Sequence, residues 1–261
     1  MPHRIVLAAL AFVVVLIGLG RLSRTPGSEP ETEPQVISTT APGSPSARQL
    51  GPLPETMNAP PAGTPSIDLE ARLAVRRRLE REGRRVYLDS LFTTTDSTVV
   101  RWDDRSIRQL TVRFDPDTSL AGWKGALDDA RAALRVWEGN EAGFDLRETN
   151  DSTADITVKW TAMLGEESQL GLTGLNWDGS GVIASVTVTL ALHQNPDSLA
   201  VPPAIRRRVA AHEFGHALGL PHSDREDDLM FRTSPVAAPS RRDRATLQLL
   251  YAVAPGPIRT P

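Results

Sequence analysis

The sequence predicts an α/β fold, α+β in some schemes, over residues 99–254. Two observations carry this expectation. Short runs rich in alternating or β-branched apolar residues take turns with longer runs whose apolar residues recur every three or four positions. Each run is also bounded by glycine, proline or small polar residues that end regular structure. Taken in order, Leu110 to Phe114 (LTVRF) alternates like a strand. Gly122 to Glu138 reads as an amphipathic helix, with Ala126, Leu127, Ala130, Ala133, Leu134 and Trp137 on one face. Phe144 to Arg147 and Ala154 to Trp160 are expected strands, and Val182 to Leu192 (VIASVTVTLAL) is a third with strong β-branched content. Between the last two lies the glycine-rich GEESQLGLTGLNWDGSG. Ala204 to Leu218 reads as a second helix and Arg241 to Ala252 as a third, with Ser240 as N-cap and Asp243 at its N3 position.

Ahead of this unit the chain divides into three parts. Residues 1–23 hold the uncharged run Ile5 to Leu19, flanked by Arg4, Arg21 and Arg24. As a helix it would span roughly 22 Å, short of the ~30 Å hydrocarbon core, which suits a signal peptide or a thin signal-anchor. The expectation is an extracytoplasmic protein, anchored to a membrane by this segment or secreted if it is cleaved. Residues 24–66 form a Pro/Ser/Thr-rich stretch without an apolar pattern, read as a disordered linker. Residues 67–98 open with IDLEARLAVRRRLEREGRRVYLDSLF, read as a charged helical stem or an extra packing helix, with Leu69, Leu73 and Leu79 on an imperfect stripe. Residues 255–261 are expected to be a flexible tail.

The formal charge of −3, from 29 basic and 32 acidic side chains, gives no reason to expect nucleic acid as a partner. Cysteine is absent, which excludes disulfides, thiolate catalysis and metal sites with sulfur ligands. Any metal must be held by imidazole or carboxylate.

Three of the five histidines fall in VAAHEFGHALGLPHS. His212 and His216 are four apart, so on a helix both rings leave the same face and can ligate one Zn²⁺. Glu213 stands one step around, within reach of an activated water without being a ligand. Gly219 suits a left-handed helix end, and Pro221 cannot continue the helix. The chain therefore turns and brings His222 back as a third nitrogen ligand. Three protein ligands plus an open position is the arrangement of a catalytic zinc. Asp228-Leu229-Met230-Phe231 follows, and Met230 would supply a soft apolar floor under the imidazoles.

On these residues the sequence resembles the metzincin metalloproteases, and most of all the matrixin catalytic domain. The likeness runs from about Trp102 to Tyr251. It includes Trp137, Ala154-Asp155-Ile156 opening a strand, the Met-turn at Met230, and Ser240, Asp243, Leu250 and Tyr251 in the closing helix. The resemblance implies a zincin-like fold: a twisted five-stranded mixed sheet with one antiparallel edge strand, an active-site helix, and a small C-terminal subdomain with the Met-turn and a final helix. It also implies a zinc endopeptidase with Glu213 as general base. Protein or peptide substrates would lie extended along the edge strand within Leu170 to Asn176, at Leu172 and Gly174. A side-chain pocket would be walled by Val209 and His212 and by the loop from Phe231 to Pro239. The family's cysteine-based latency is impossible here. With only His193 available among the preceding strands, a second structural zinc is not expected. Asp155, Glu166, Glu167 and Asp178 suit either a Ca²⁺ site or a solvated loop. The competing expectation is a zinc-binding interaction module without turnover. Nothing in the sequence speaks to oligomeric state.

Overall fold

Alternation of apolar side chains along short β-branched runs generates the sheet, and the amphipathic helices cover it. The computed structural model describes residues 9–10, 67–82, 85–88, 98–103, 109–139, 145–165, 169–195 and 199–258. The 24–66 linker, Phe144, Glu166 and Glu167 lie outside them. In chain order the elements are β1 (Ala9–Leu10), α1 (Ile67–Glu82), β2 (Thr98–Val99), β3 (Leu110–Asp115), α2 (Trp123–Leu134, continued by a 3₁₀ turn Arg135–Trp137), β4 (Leu146–Glu148), β5 (Ile156–Thr161), β6 (Gly171–Trp177), β7 (Ile183–Ala191), α3 (Pro203–Ala217), α4 (Arg241–Tyr251) and β8 (Gly256–Pro257).

A five-stranded mixed sheet runs in the order β6-β7-β5-β3-β4, and the two-residue β1 adds beyond β6. β4, β3, β5 and β7 are parallel, while β6 lies antiparallel to β7. Parallel strands are normally covered on their faces by helices, and here α2 and α3 pack against each other and α3 against β6 and β7. Asp129 of α2 takes Arg206 at 2.6 Å and Arg207 at 3.1 Å, pinning α2 to α3 through a mostly buried carboxylate. Asp155 accepts from both the backbone N–H and the hydroxyl of Thr111 at 2.8 Å, which locks the start of β5 beside β3. Asp178 closes a turn by accepting from Ser180 and Val182. Neither aspartate joins a metal-ligating group among the described residues.

Several sequence expectations need adjustment. Among the described residues no helix is long and apolar enough to cross a membrane. The helical anchor or signal expected over Ile5 to Leu19 is corrected on that finding: Ala9–Leu10 is a strand paired with Gly174 and Thr173, and the remainder of that run lies outside the described residues. A backbone hydrogen-bonded to a neighbouring strand is not the self-satisfied helix that a membrane span requires. The membrane-anchored location that rested on it falls with it. The helix expected to run on to Phe92 stops at Glu82, one residue before Gly83, whose helix propensity is poor. The edge strand that the resemblance implied within Leu170 to Asn176 is β6. The tail is held as far as Ile258: Gly256–Pro257 pairs antiparallel with Thr98–Val99, and Ile258 is buried.

α1 and the tail share a second, smaller core. Leu79, Val86, Leu88 and Val99 pack with Leu249, Leu250, Val253 and Ile258. Each fully buried aliphatic side chain of this kind stabilises the fold by roughly 1.5–3 kcal/mol. α1 thus rests on the back of α4, and Arg78 donates to the Ala252 carbonyl at 3.1 Å.

Candidate metal centre and active site

α3 is the element on which the site is built. It begins with prolines at 202 and 203, where the missing N–H costs nothing, and from Val209 to Ala217 every side chain is buried. The helix ends as the glycine and proline of GLP dictate. Gly219 takes φ +93, and a Cβ there would stand 2.9 Å from the Val100 carbonyl oxygen. The reversal returns the chain toward the helix, and His222 joins His212 and His216. One ring nitrogen from each lies within 4.8 Å of the others, and the ring centroids are 4.7–5.3 Å apart.

Backbone carbonyls fix the orientation of the two helical rings. His212 Nδ1 donates to the Leu229 carbonyl and His216 Nδ1 to the Leu220 carbonyl, each at 2.7 Å. With the proton held on Nδ1, both Nε2 lone pairs point inward. The two Nε2 atoms stand 3.0 Å apart. Two acceptors facing each other repel unless a cation lies between them, and nitrogen ligands of a tetrahedral Zn²⁺ stand about 3.3 Å apart at ordinary bond lengths. The donor set therefore fits zinc. Burial holds the rings neutral. Desolvation pushes His212 down to about 4, and it drives His216 and His222 well below the usual imidazole range.

Glu213 is fully buried beside these rings. Desolvation raises its carboxyl to about 8, partly offset by a hydrogen bond from Thr173. Met230 is wholly enclosed and packs against α3. Gly215 makes room for it, since a Cβ at that position would collide with the Met230 sulfur and lie 2.9 Å from Trp137 Cζ2. Trp137 donates to the Ala211 carbonyl at 2.8 Å and Trp102 to the Ala217 carbonyl at 2.9 Å, so two buried indoles satisfy carbonyls of α3 while filling space behind it.

The turn carrying Met230 is held by α4. Ser240 caps that helix and forms a reciprocal capping box with Asp243. Asp243 is buried and also accepts from the N–H groups of Leu229 and Met230, at 2.8 and 3.4 Å. Tyr87 donates to Asp243 at 2.6 Å from the opposite side. Arg242 binds Asp228 at 2.9 Å, Asp224 at 2.6 Å and the Val86 carbonyl at 3.1 Å. Tyr87, Thr173, Gly171 and Gly215 carry no motif signal, and the sequence reading passed over them as site residues.

The residues expected to meet substrate fall in different surroundings. Leu172 and Gly174 lie half-buried on β6, and β1 pairs at Thr173 and Gly174. Val209 packs in the main core with Ala126, Trp160 and Leu170 around a small internal void. Phe231 is half-buried at the end of the Met-turn, its N–H on the Asp228 carbonyl at 3.2 Å.

The mixed sheet and the three-histidine cluster are similar to those of the metzincin zinc metalloproteases. The sequence model described as Matrixin matches residues 204–252, which hold the cluster, the turn carrying Met230 and α4. The chain is also similar to a hatching enzyme of Paracentrotus lividus, at 32% identity over 133 residues, covering 47% of this chain and 21% of that protein. The chain therefore spans about a fifth of the length of that relative.

Proposed function

We propose that this protein hydrolyses internal peptide bonds of protein substrates, with His212, His216 and His222 holding one catalytic zinc and Glu213 as general base. The observation that carries the reading is a cluster of three imidazoles, each offering a ring nitrogen within 4.8 Å of the others, with a fully buried carboxylate next to His212 on the helix. Zinc bound there would supply Lewis acidity, polarising the scissile carbonyl and acidifying a water. Glu213 would take the proton from that water and pass it to the departing amine. Its buried surroundings favour the protonated form, which suits the second transfer. β6 offers its backbone as an edge to which an extended peptide adds as a strand. The antiparallel pairing of Ala9–Leu10 at Thr173 and Gly174 supports this reading of the edge.

Replacing Glu213 with Gln tests the assignment. Zinc content by elemental analysis should stay at one per chain, while cleavage of a quenched peptide library drops by about 10²–10⁴-fold. Product masses from a long peptide should report internal cuts. Zinc bound with no cleavage by the wild type would favour the interaction-module alternative, and terminal trimming alone would make it an exopeptidase.

A further inference from the structure

We infer that β6 supplies a cradle for the general base, in which Thr173 is a positioning residue that anchors one oxygen of Glu213 and Gly171 leaves the space its carboxylate occupies. The inference rests on the assignment of Glu213 as base. Alternation along β6 turns Gly171 and Thr173 to the buried face, toward α3, and Leu172 and Gly174 away from it. The Thr173 hydroxyl donates to Glu213 Oε2 at 2.6 Å, with the Glu213 backbone carbonyl 3.2 Å away as a weaker acceptor. Glu213 Oε1 is buried and has no hydrogen-bond partner among the described residues. A Cβ at position 171 would stand 2.6 Å from Glu213 Cγ and 2.7 Å from Cδ.

These facts divide the two oxygens by task. Oε2 is tied down by a neutral donor that cannot compete as a base. Oε1 is the oxygen left to accept a proton, and a buried acceptor without a partner has a strong demand for one. A carboxylate pinned at one oxygen also loses rotational freedom, so Oε1 keeps its place against Gly171, where a Cβ would collide with it. The same strand that offers backbone to a peptide on its outer edge thus orients the proton acceptor on its inner face.

The test uses the full-length, zinc-loaded chain and compares Thr173→Val, Thr173→Ser and Gly171→Ala with Glu213→Gln. Valine keeps the shape of threonine and removes the hydroxyl. Its kcat should fall about 10–100-fold with KM and zinc content unchanged, and serine should restore kcat to within about threefold of wild type. Gly171→Ala should lower kcat at least as much, yet shift the melting temperature of the metal-free protein by only a few degrees, because the flexible carboxylate swings aside while the backbone stays. Wild-type kcat in Thr173→Val, or equal loss in the valine and serine variants, overturns the inference. So does a loss that appears as raised KM or missing zinc. Should Glu213→Gln be dead while Thr173→Val runs normally, only the cradle fails. Should Glu213→Gln turn over at the wild-type rate, the base assignment itself fails.

Discussion

Gly215 shows how much one hydrogen atom in place of a side chain can decide. It sits between Glu213 and His216 on α3, and its missing Cβ is the space into which the Met230 sulfur and the Trp137 ring pack. Gly215→Ala should therefore push against the Met-turn and the indole together. Overpacking of this kind costs about 1–3 kcal/mol, which outweighs the ~1 kcal/mol that alanine gains over glycine in a helix interior. The expected outcome is a lower melting temperature with weaker zinc retention in a chelator competition. A variant as stable as wild type would mean that Met230 moves aside freely and is no rigid floor. The histidines themselves were legible, since the four-residue spacing and the turn at Gly219-Leu220-Pro221 specify convergence without knowledge of the fold. Gly215 was not, because a glycine inside a helix shows its reason only once the neighbouring element is in place.

Among elements, residues 85–88 connect two halves that the sequence presents as separate. Val86 and Leu88 enter the small core, Tyr87 reaches Asp243, and the Arg242 guanidinium lies 5.1 Å above the Tyr87 ring. The Met-turn thus leans on α4, and α4 in turn on the segment after α1. Tyr87→Phe keeps the ring and removes the donor to a buried carboxylate, so it should destabilise by about 1–3 kcal/mol, read by urea denaturation. No change in midpoint would show the Asp243 oxygen finding another donor. Legibility differed between elements for physical reasons. α2, α4, β3, β5 and β7 follow apolar periodicity, α4 with the Ser240–Asp243 box, whereas α3 is buried all round in its second half and shows its bounds in Pro202, Pro203 and Gly219. β6 was obscured by Gly171, Gly174 and Asn176, residues of poor strand propensity, of which Gly171 makes room for Glu213 and Asn176 is exposed. The packing of α1 was ambiguous because its charged residues outnumber its apolar ones, and among its described side chains only Leu79 is deeply buried.

For the whole molecule, burial of the site links stability to pH. Without metal, His212 titrates near 4 when folded and near 6.5 when unfolded. Its contribution is complete above pH 6.5 and is lost as pH falls toward 4, and His216 and His222 act in the same direction. Glu213 acts oppositely. Its folded value near 8 lies above the unfolded one, so its contribution is complete below about pH 4.5 and is lost as pH rises through 8. Chelator-treated protein should melt progressively lower from pH 6.5 to 4.5. The melting temperature of Glu213→Gln should match wild type near pH 4.5 and exceed it increasingly up to pH 8. A constant gap between the two proteins across that range would remove the claim that the carboxyl is strained by burial. The short ladder between β2 and β8 has a different consequence. Because Thr98 faces Pro257 across one pair of strands, this ladder stitches the end of the described chain to the stretch ahead of the sheet. It closes the small core that holds Leu79, Val86 and Ile258, so fraying there would open that core first.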